Sequence, residues 1–161
     1  MRALTLTQPW AGLVASGIKL VENRQRTMIK REDFGERFAI HASREIAEIT
    51  YERIAELAPE LTNEGRWFEL SRVRSAVIAV GVIDKVFAGS WDAETIAEHA
   101  DALSYSNGEK LGPDQVRWFF GPVGYVLRDV IALPTPVPCR GWQGYWTLNG
   151  DTERAVMEQL A

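Results

Sequence analysis

Changes in the period of apolar and polar residues divide this chain into elements. Residues 1–6, MRALTL, read as a short first strand. In the next stretch, TQPWAGLVASGIKLVENR, Trp10, Leu13 and Val14 fall on one helical face. Thr7 or Gln8 can cap that helix, and Pro9 sits in its first turn, where a missing N–H costs nothing. Gly17 supplies a left-handed stop. Residues 20–26 and 37–42 then read as strands, the second introduced by a turn at Gly35. Ser43 is a good N-cap for a helix carrying Ile46, Ile49, Ile54 and Leu57, which Pro59 ends. Residues 60–73 fit a short helix or a loop.

The clearest strand is 75–87, SAVIAVGVIDKVF, β-branched and long enough to be central, with Gly81 marking a bulge or bend. Residues 91–102 have a helical pattern, and 104–113 are a polar loop. Residues 115–120 lead into a further strand at 124–131, after which PTPVPC reads as an extended connector. A last strand covers 144–148, and Asp151 caps a terminal helix. Six or so strands without regular βαβ alternation predict an α+β fold. The expected form is a small mixed or antiparallel β-barrel with peripheral helices, with an open sandwich as the alternative. The whole chain, 1–161, is expected to be one domain with helical inserts near 43–70 and 90–115.

Composition narrows the function classes. Hydrophobic residues make up 46% of the chain and charged ones 25%, as in ordinary globular proteins, and no apolar run reaches membrane-span length. The start lacks an apolar signal core, so the expected location is the cytoplasm. A single cysteine, Cys139, excludes an internal disulfide, and two distant histidines predict no metal site; no cofactor is expected. Net charge is −4, yet residues 19–37 hold six basic residues against four acidic ones. A basic site on an acidic body suits a short single strand or a nucleotide better than a long duplex.

The candidate chemistry gathers at the first helix and strand. Lys19 beside Glu22 can hold phosphate or donate a proton, and a glutamate in a dry cleft can act as a general base. Arg24 can fork onto a phosphate or onto Glu22. The structural alternative is an ion pair at a strand edge. In an ideal strand Lys19 and Glu22 point to opposite faces, so they converge only if Lys19 still lies in the turn after Gly17. Any of Trp10, Trp118, Phe119, Trp142, Tyr145 and Trp146 could stack a base, but most are expected to pack in the core, Trp146 on its apolar strand among them. Trp10 and Trp142 are the candidates for ligand contact. His41, at a strand end, is a possible acid or base, and Arg140, between Cys139 and Gly141, a possible phosphate contact.

The pattern Gln8-Pro9-Trp10-Ala11 followed by Gly17, Lys19, Glu22 and Arg24 resembles the ASCH domain family. The likeness continues through the strand at 75–87, GPVGYVL at 121–127 and PCRGWQGYWTL at 138–148. The resemblance implies a PUA-like barrel with a cleft lined by the opening motif, and a link to RNA or modified nucleotides. It also implies two enzymatic branches, amidohydrolases of acylated cytidine and ribonucleases of single-stranded RNA. The amidohydrolase branch has a threonine nucleophile three residues after the lysine, where this chain has Glu22. That branch's remaining acid has no sure match among Glu94, Glu98 and Asp101.

The leading expectation is therefore RNA or nucleotide binding in a cleft walled by Gln8, Pro9, Trp10, Lys19, Glu22 and Arg24, with His41, Arg140 and Trp142 as further contacts. In it, Gln8 reads a base edge through its amide. The alternatives are a hydrolase with Lys19 and Glu22 as the acid/base pair, and a protein-interaction adaptor using the two inserts.

Overall fold

A computed structural model describes residues 1–26, 28–63, 65–88 and 113–161. The expected helix at 91–102 and all but the last residue of the expected loop at 104–113, and with them Glu94, Glu98, His99 and Asp101, lie outside the described residues. The strands are β1 (Arg2–Gln8), β2 (Val21–Arg24), β3 (Arg37–Ile46), β4 (Ala76–Ala88), β5 (Val123–Pro138) and β6 (Tyr145–Thr147). The helices are α1 (Trp10–Ala15), α2 (Tyr51–Leu57), α3 (Gly65–Arg72), α4 (Pro113–Val116) and α5 (Gly150–Met157).

The six strands form one sheet in the order β2-β5-β4-β3-β1-β6. β1 runs parallel to β3, and every other pair is antiparallel. The fold is α+β, as expected. The expected barrel does not close: β2, of four residues, pairs with β5, and β6, of three, pairs with β1, which leaves these short strands as the two edges.

Strand alternation sends successive side chains to opposite faces. Leu4, Phe38, Ile40, Ile78 and Tyr125 join Ala11 and Val14 of α1 on one side. Ala3, Ala39, Val77, Val80 and Leu133 join Val156 of α5 on the other. A third cluster gathers Leu13, Ile54, Leu61, Trp67, Trp118 and Phe119.

Gly81 marks a bulge as its position suggested, since the β4–β5 register shifts between Val80 and Val82. The proline run differs from expectation. It is extended but belongs to β5, with Val137 opposite Val77 and Pro138 opposite Ala76. β2 covers only the 123–126 end of β5, so the proline-bearing end can lack N–H donors on its outer side.

Two caps were misplaced by the sequence reading. β3 runs on to Ile46, and Ser43 Oγ bonds the backbone of Glu45 rather than opening a helix. The helix starts at Tyr51, where Thr50 accepts from the Arg53 N–H. At the C-terminal helix Asn149, not Asp151, is the cap, accepting from the Thr152 N–H at 2.9 Å.

Close packing of β5 makes a first prediction. A Cβ on Gly124 lies 2.4 and 2.5 Å from the ring of Phe119, which is buried. Gly124→Ala is expected to cost about 1–3 kcal/mol through overpacking. A urea unfolding midpoint equal to that of the parent chain contradicts this.

Candidate nucleotide-binding cleft

The turn after α1 sets the site. Gly17 has a φ of +76°, and the N–H groups of Ile18 and Lys19 both donate to the Leu13 carbonyl. The chain folds back there, so Lys19 lies in the turn before β2 begins at Val21, the one arrangement in which Lys19 and Glu22 can converge. They do. Lys19 Nζ donates to the Val21 carbonyl and to Glu22 Oε2, the latter at 3.1 Å. The other carboxylate oxygen of Glu22 lies 3.1 Å from Arg24 Nη2, which also donates to the Thr5 carbonyl at 2.8 Å.

One carboxylate thus serves two cations, and Lys19 is 2% exposed. Burial lowers the proton affinity of Lys19 below that of an ordinary lysine. The attraction and hydrogen bond of Glu22 oppose this, and the charge of Arg24 adds to it. The ammonium also lies 5.7 Å from the Trp10 ring centre.

These groups face a pocket of about 330 Å³ lined by Trp10, Lys19, Glu22, Asn23, Arg24 and Phe120, among others. Trp10 and Phe120 form two of its walls, their ring centres 6.3 Å apart and their planes tilted by 55°. Asn23 holds Phe120 in place, donating to the Trp118 carbonyl and accepting the Phe120 N–H, both at 2.8 Å.

A larger cleft of about 1250 Å³ adjoins this pocket and shares Thr5, Thr7, Asn23 and Arg24 with it. Its walls carry Arg24, Arg26, Arg44 and Arg140 against the single carboxylate of Glu45. His41 lies in the wall, its Nε2 3.1 Å from the Cys139 carbonyl and its Nδ1 buried without a partner. Burial lowers the proton affinity of His41, opposed by the Cys139 carbonyl. Burial likewise raises the Cys139 thiol above its usual range, away from the reactive thiolate. At the rim the Arg140 guanidinium sits 4.3 Å from the ring centre of Trp142, which is 54% exposed.

The structure therefore brings together Trp10, Lys19, Glu22 and Arg24, and places His41, Arg140 and Trp142 along the adjoining cleft. It does not bring Gln8 there. Gln8 is buried, its Nε2 donates to the carbonyls of Leu70 and Val73, and its Oε1 accepts the Gly12 N–H. Its amide ties α1 to the end of α3, capping from one residue further out than Pro9. Pro9 is buried beneath the helix start and lines neither pocket. Among the other aromatic residues, Trp118, Phe119 and Tyr145 are core. Trp146 packs against the sheet and donates to Thr5 Oγ1.

The sequence reading passed over Asn23, Phe120 and Arg44 as site residues. Asn23 reads as one more polar strand position, and nothing in Trp-Phe-Phe distinguishes exposed Phe120 from buried Phe119. Among the described residues no three of His, Cys, Asp and Glu gather where a metal could bind. None of the described helices is long and apolar enough to cross a membrane.

No family model matches the chain, and no curated protein matches it. Solved structures do. The ASCH protein of Zymomonas mobilis superposes with a TM-score of 0.53 at 17% identity, over 98% of this chain and 93% of its own. The chain has the ASCH fold. Two variants of that protein, one tyrosine-to-phenylalanine and one serine-to-alanine, match at 16% identity and a TM-score of 0.53. They cover 96% and 94% of their own chains respectively, and 98% of this one. In this ASCH-fold chain Trp10, Lys19, Glu22 and Arg24 of the opening motif line the small pocket, and residues of β3 and of the segment after β5 line part of the cleft beside it.

Proposed function

We propose that this chain binds single-stranded RNA or a nucleotide in the two connected pockets. The observation that carries the reading is the charge of the larger cleft: four arginines against one glutamate in a chain whose net charge is −4. Arginine forks suit phosphate oxygens, and a local field of one sign raises the encounter rate with anions. Arg24 belongs to both pockets, and its side chain keeps 20% of its surface exposed there. Glu22 and Asn23 face the small pocket as polar contacts for a base, with Trp10 and Phe120 as its aromatic walls. Lys19, already bonded to Val21 and Glu22, holds Glu22 in position rather than gripping phosphate.

Binding of a labelled single-stranded oligoribonucleotide should weaken as salt rises. For single strands the slope of log affinity against log salt is roughly −0.7 per phosphate contact. Arg24→Ala should weaken binding and make that slope shallower by about 0.7. Salt-insensitive binding that Arg24→Ala leaves unaltered overturns the reading.

The lowered proton affinity of Lys19, with Glu22 beside it, favours a second reading: a hydrolase in which these two form an acid/base pair. Turnover of single-stranded RNA or of an acylated cytidine, lost in Lys19→Met, is its test. Product formation equal to that of the variant excludes it.

A further inference from the structure

We infer that the ligand is a single strand of at least two nucleotides, and that Arg140 and Trp142 form a stacking platform for the nucleotide next to the one held at Arg24. The inference rests on the reading that the cleft binds nucleotides and deepens it.

The sizes of the two cavities point this way. Sites for a single small molecule span about 300–1,000 Å³. The pocket beside Lys19, at about 330 Å³, suits one compact group, whereas the adjoining cleft, at about 1250 Å³, exceeds what one such group fills. Arg24 stands where they meet, so a phosphate on Arg24 would have a group to either side of it.

Trp142 has the properties of a base platform. It is 54% exposed at the rim of the large cleft, so a face of its indole is open to a ligand there. The Arg140 guanidinium covers one face of the indole at 4.3 Å. Among the described residues Arg140 has no carboxylate partner, so its N–H edge stays available to phosphate. Arginine over an aromatic ring, with a base on the ring's other face, is a sequence-tolerant arrangement.

The platform is also held rigid. The Cys139 N–H donates to the Ser75 carbonyl, and the Cys139 carbonyl contacts His41 Nε2. Gly141 lies so close to the His41 ring that a Cβ there would be 2.2 Å from Cε1. A loop fixed at its base loses little entropy on binding, which favours affinity.

The test compares a short oligoribonucleotide with nucleoside monophosphates on the full chain. Trp142→Ala should weaken oligonucleotide binding roughly five- to 150-fold, equivalent to about 1–3 kcal/mol for one stacked base. Trp142→Phe should restore most of the loss, and neither change should alter monophosphate affinity. Arg140→Ala should weaken the oligonucleotide selectively as well. An oligonucleotide affinity untouched by Trp142→Ala overturns the inference, as does an equal loss for monophosphates. If Arg24→Ala still weakens binding in that case, the cleft reading stands without the platform. If the parent chain binds no oligonucleotide, both fail.

Discussion

Glu22→Ala is expected to destabilise the chain by about 3–5 kcal/mol, because it leaves Lys19 and Arg24 as neighbouring cations with no anion between them. The geometry makes the effect one-sided. Glu22 contacts both cations at 3.1 Å, whereas Lys19 contacts one carboxylate. Removing the lysine leaves Glu22 paired with Arg24 and loses one hydrogen bond to the Val21 carbonyl, so Lys19→Met should destabilise less than Glu22→Ala while disturbing the pocket. At about 2–4 °C per kcal/mol for a chain of this size, Glu22→Ala should lower Tm by roughly 6–20 °C. Equal Tm values for the two variants contradict the shared-carboxylate account.

The same pair has a pH signature. The folded-state pKa of Lys19 lies below 10.5. Between that lowered value and 10.5 the unfolded chain binds more protons than the folded one, so stability from this residue rises with pH. Below the lowered value the whole penalty for burying the ammonium is present. The parent should therefore gain Tm relative to Lys19→Met as pH climbs toward 10.5. A difference that stays constant with pH shows that burial does not perturb the lysine.

Gly141→Ala should damage both stability and binding. The new Cβ would lie 2.2 Å from His41 Cε1, 2.4 Å from Nδ1 and 3.0 Å from Thr5 Oγ1. His41 cannot step aside, since it is buried, bonded to the Cys139 carbonyl and packed edge-on against Trp146 at 5.8 Å. The loop must lift instead, carrying Arg140 and Trp142 away from the cleft. Overpacking of this kind costs about 1–3 kcal/mol. The oligonucleotide affinity should fall at least as far as in Trp142→Ala, with a lowered Tm that Trp142→Ala does not share. An unchanged Tm and affinity would show that the loop is free to move and the platform not fixed.

Much of this was legible in the sequence, for local reasons. Gly17 stops α1 because a left-handed residue is needed there, and that stop is what brings Lys19 to Glu22. Gly81 announced the β4 bulge. Local signals failed where tertiary contacts decide. Ser43 has an N-cap's chemistry, yet β3 continues past it because β1 extends the pairing from Gln8 to Ile46. Gln8 looked like a base reader because its amide offers both a donor and an acceptor. Its partners, Leu70 and Val73, lie more than sixty residues away and leave no trace near Gln8 in the sequence. Trp142 and Arg140 were visible as chemistry, but not their stacking, nor the glycine that packs against His41.

The most direct test of the cleft uses the indole N–H resonances of the tryptophans. Trp10 walls the small pocket, Trp142 stands at the rim of the large one, and Trp67 is buried elsewhere, donating to the Leu61 carbonyl. Titration with a single-stranded oligoribonucleotide should shift the Trp10 and Trp142 signals together, with one dissociation constant, and leave Trp67 in place. Binding that leaves Trp10 and Trp142 unmoved would put the ligand elsewhere on the molecule and contradict the account.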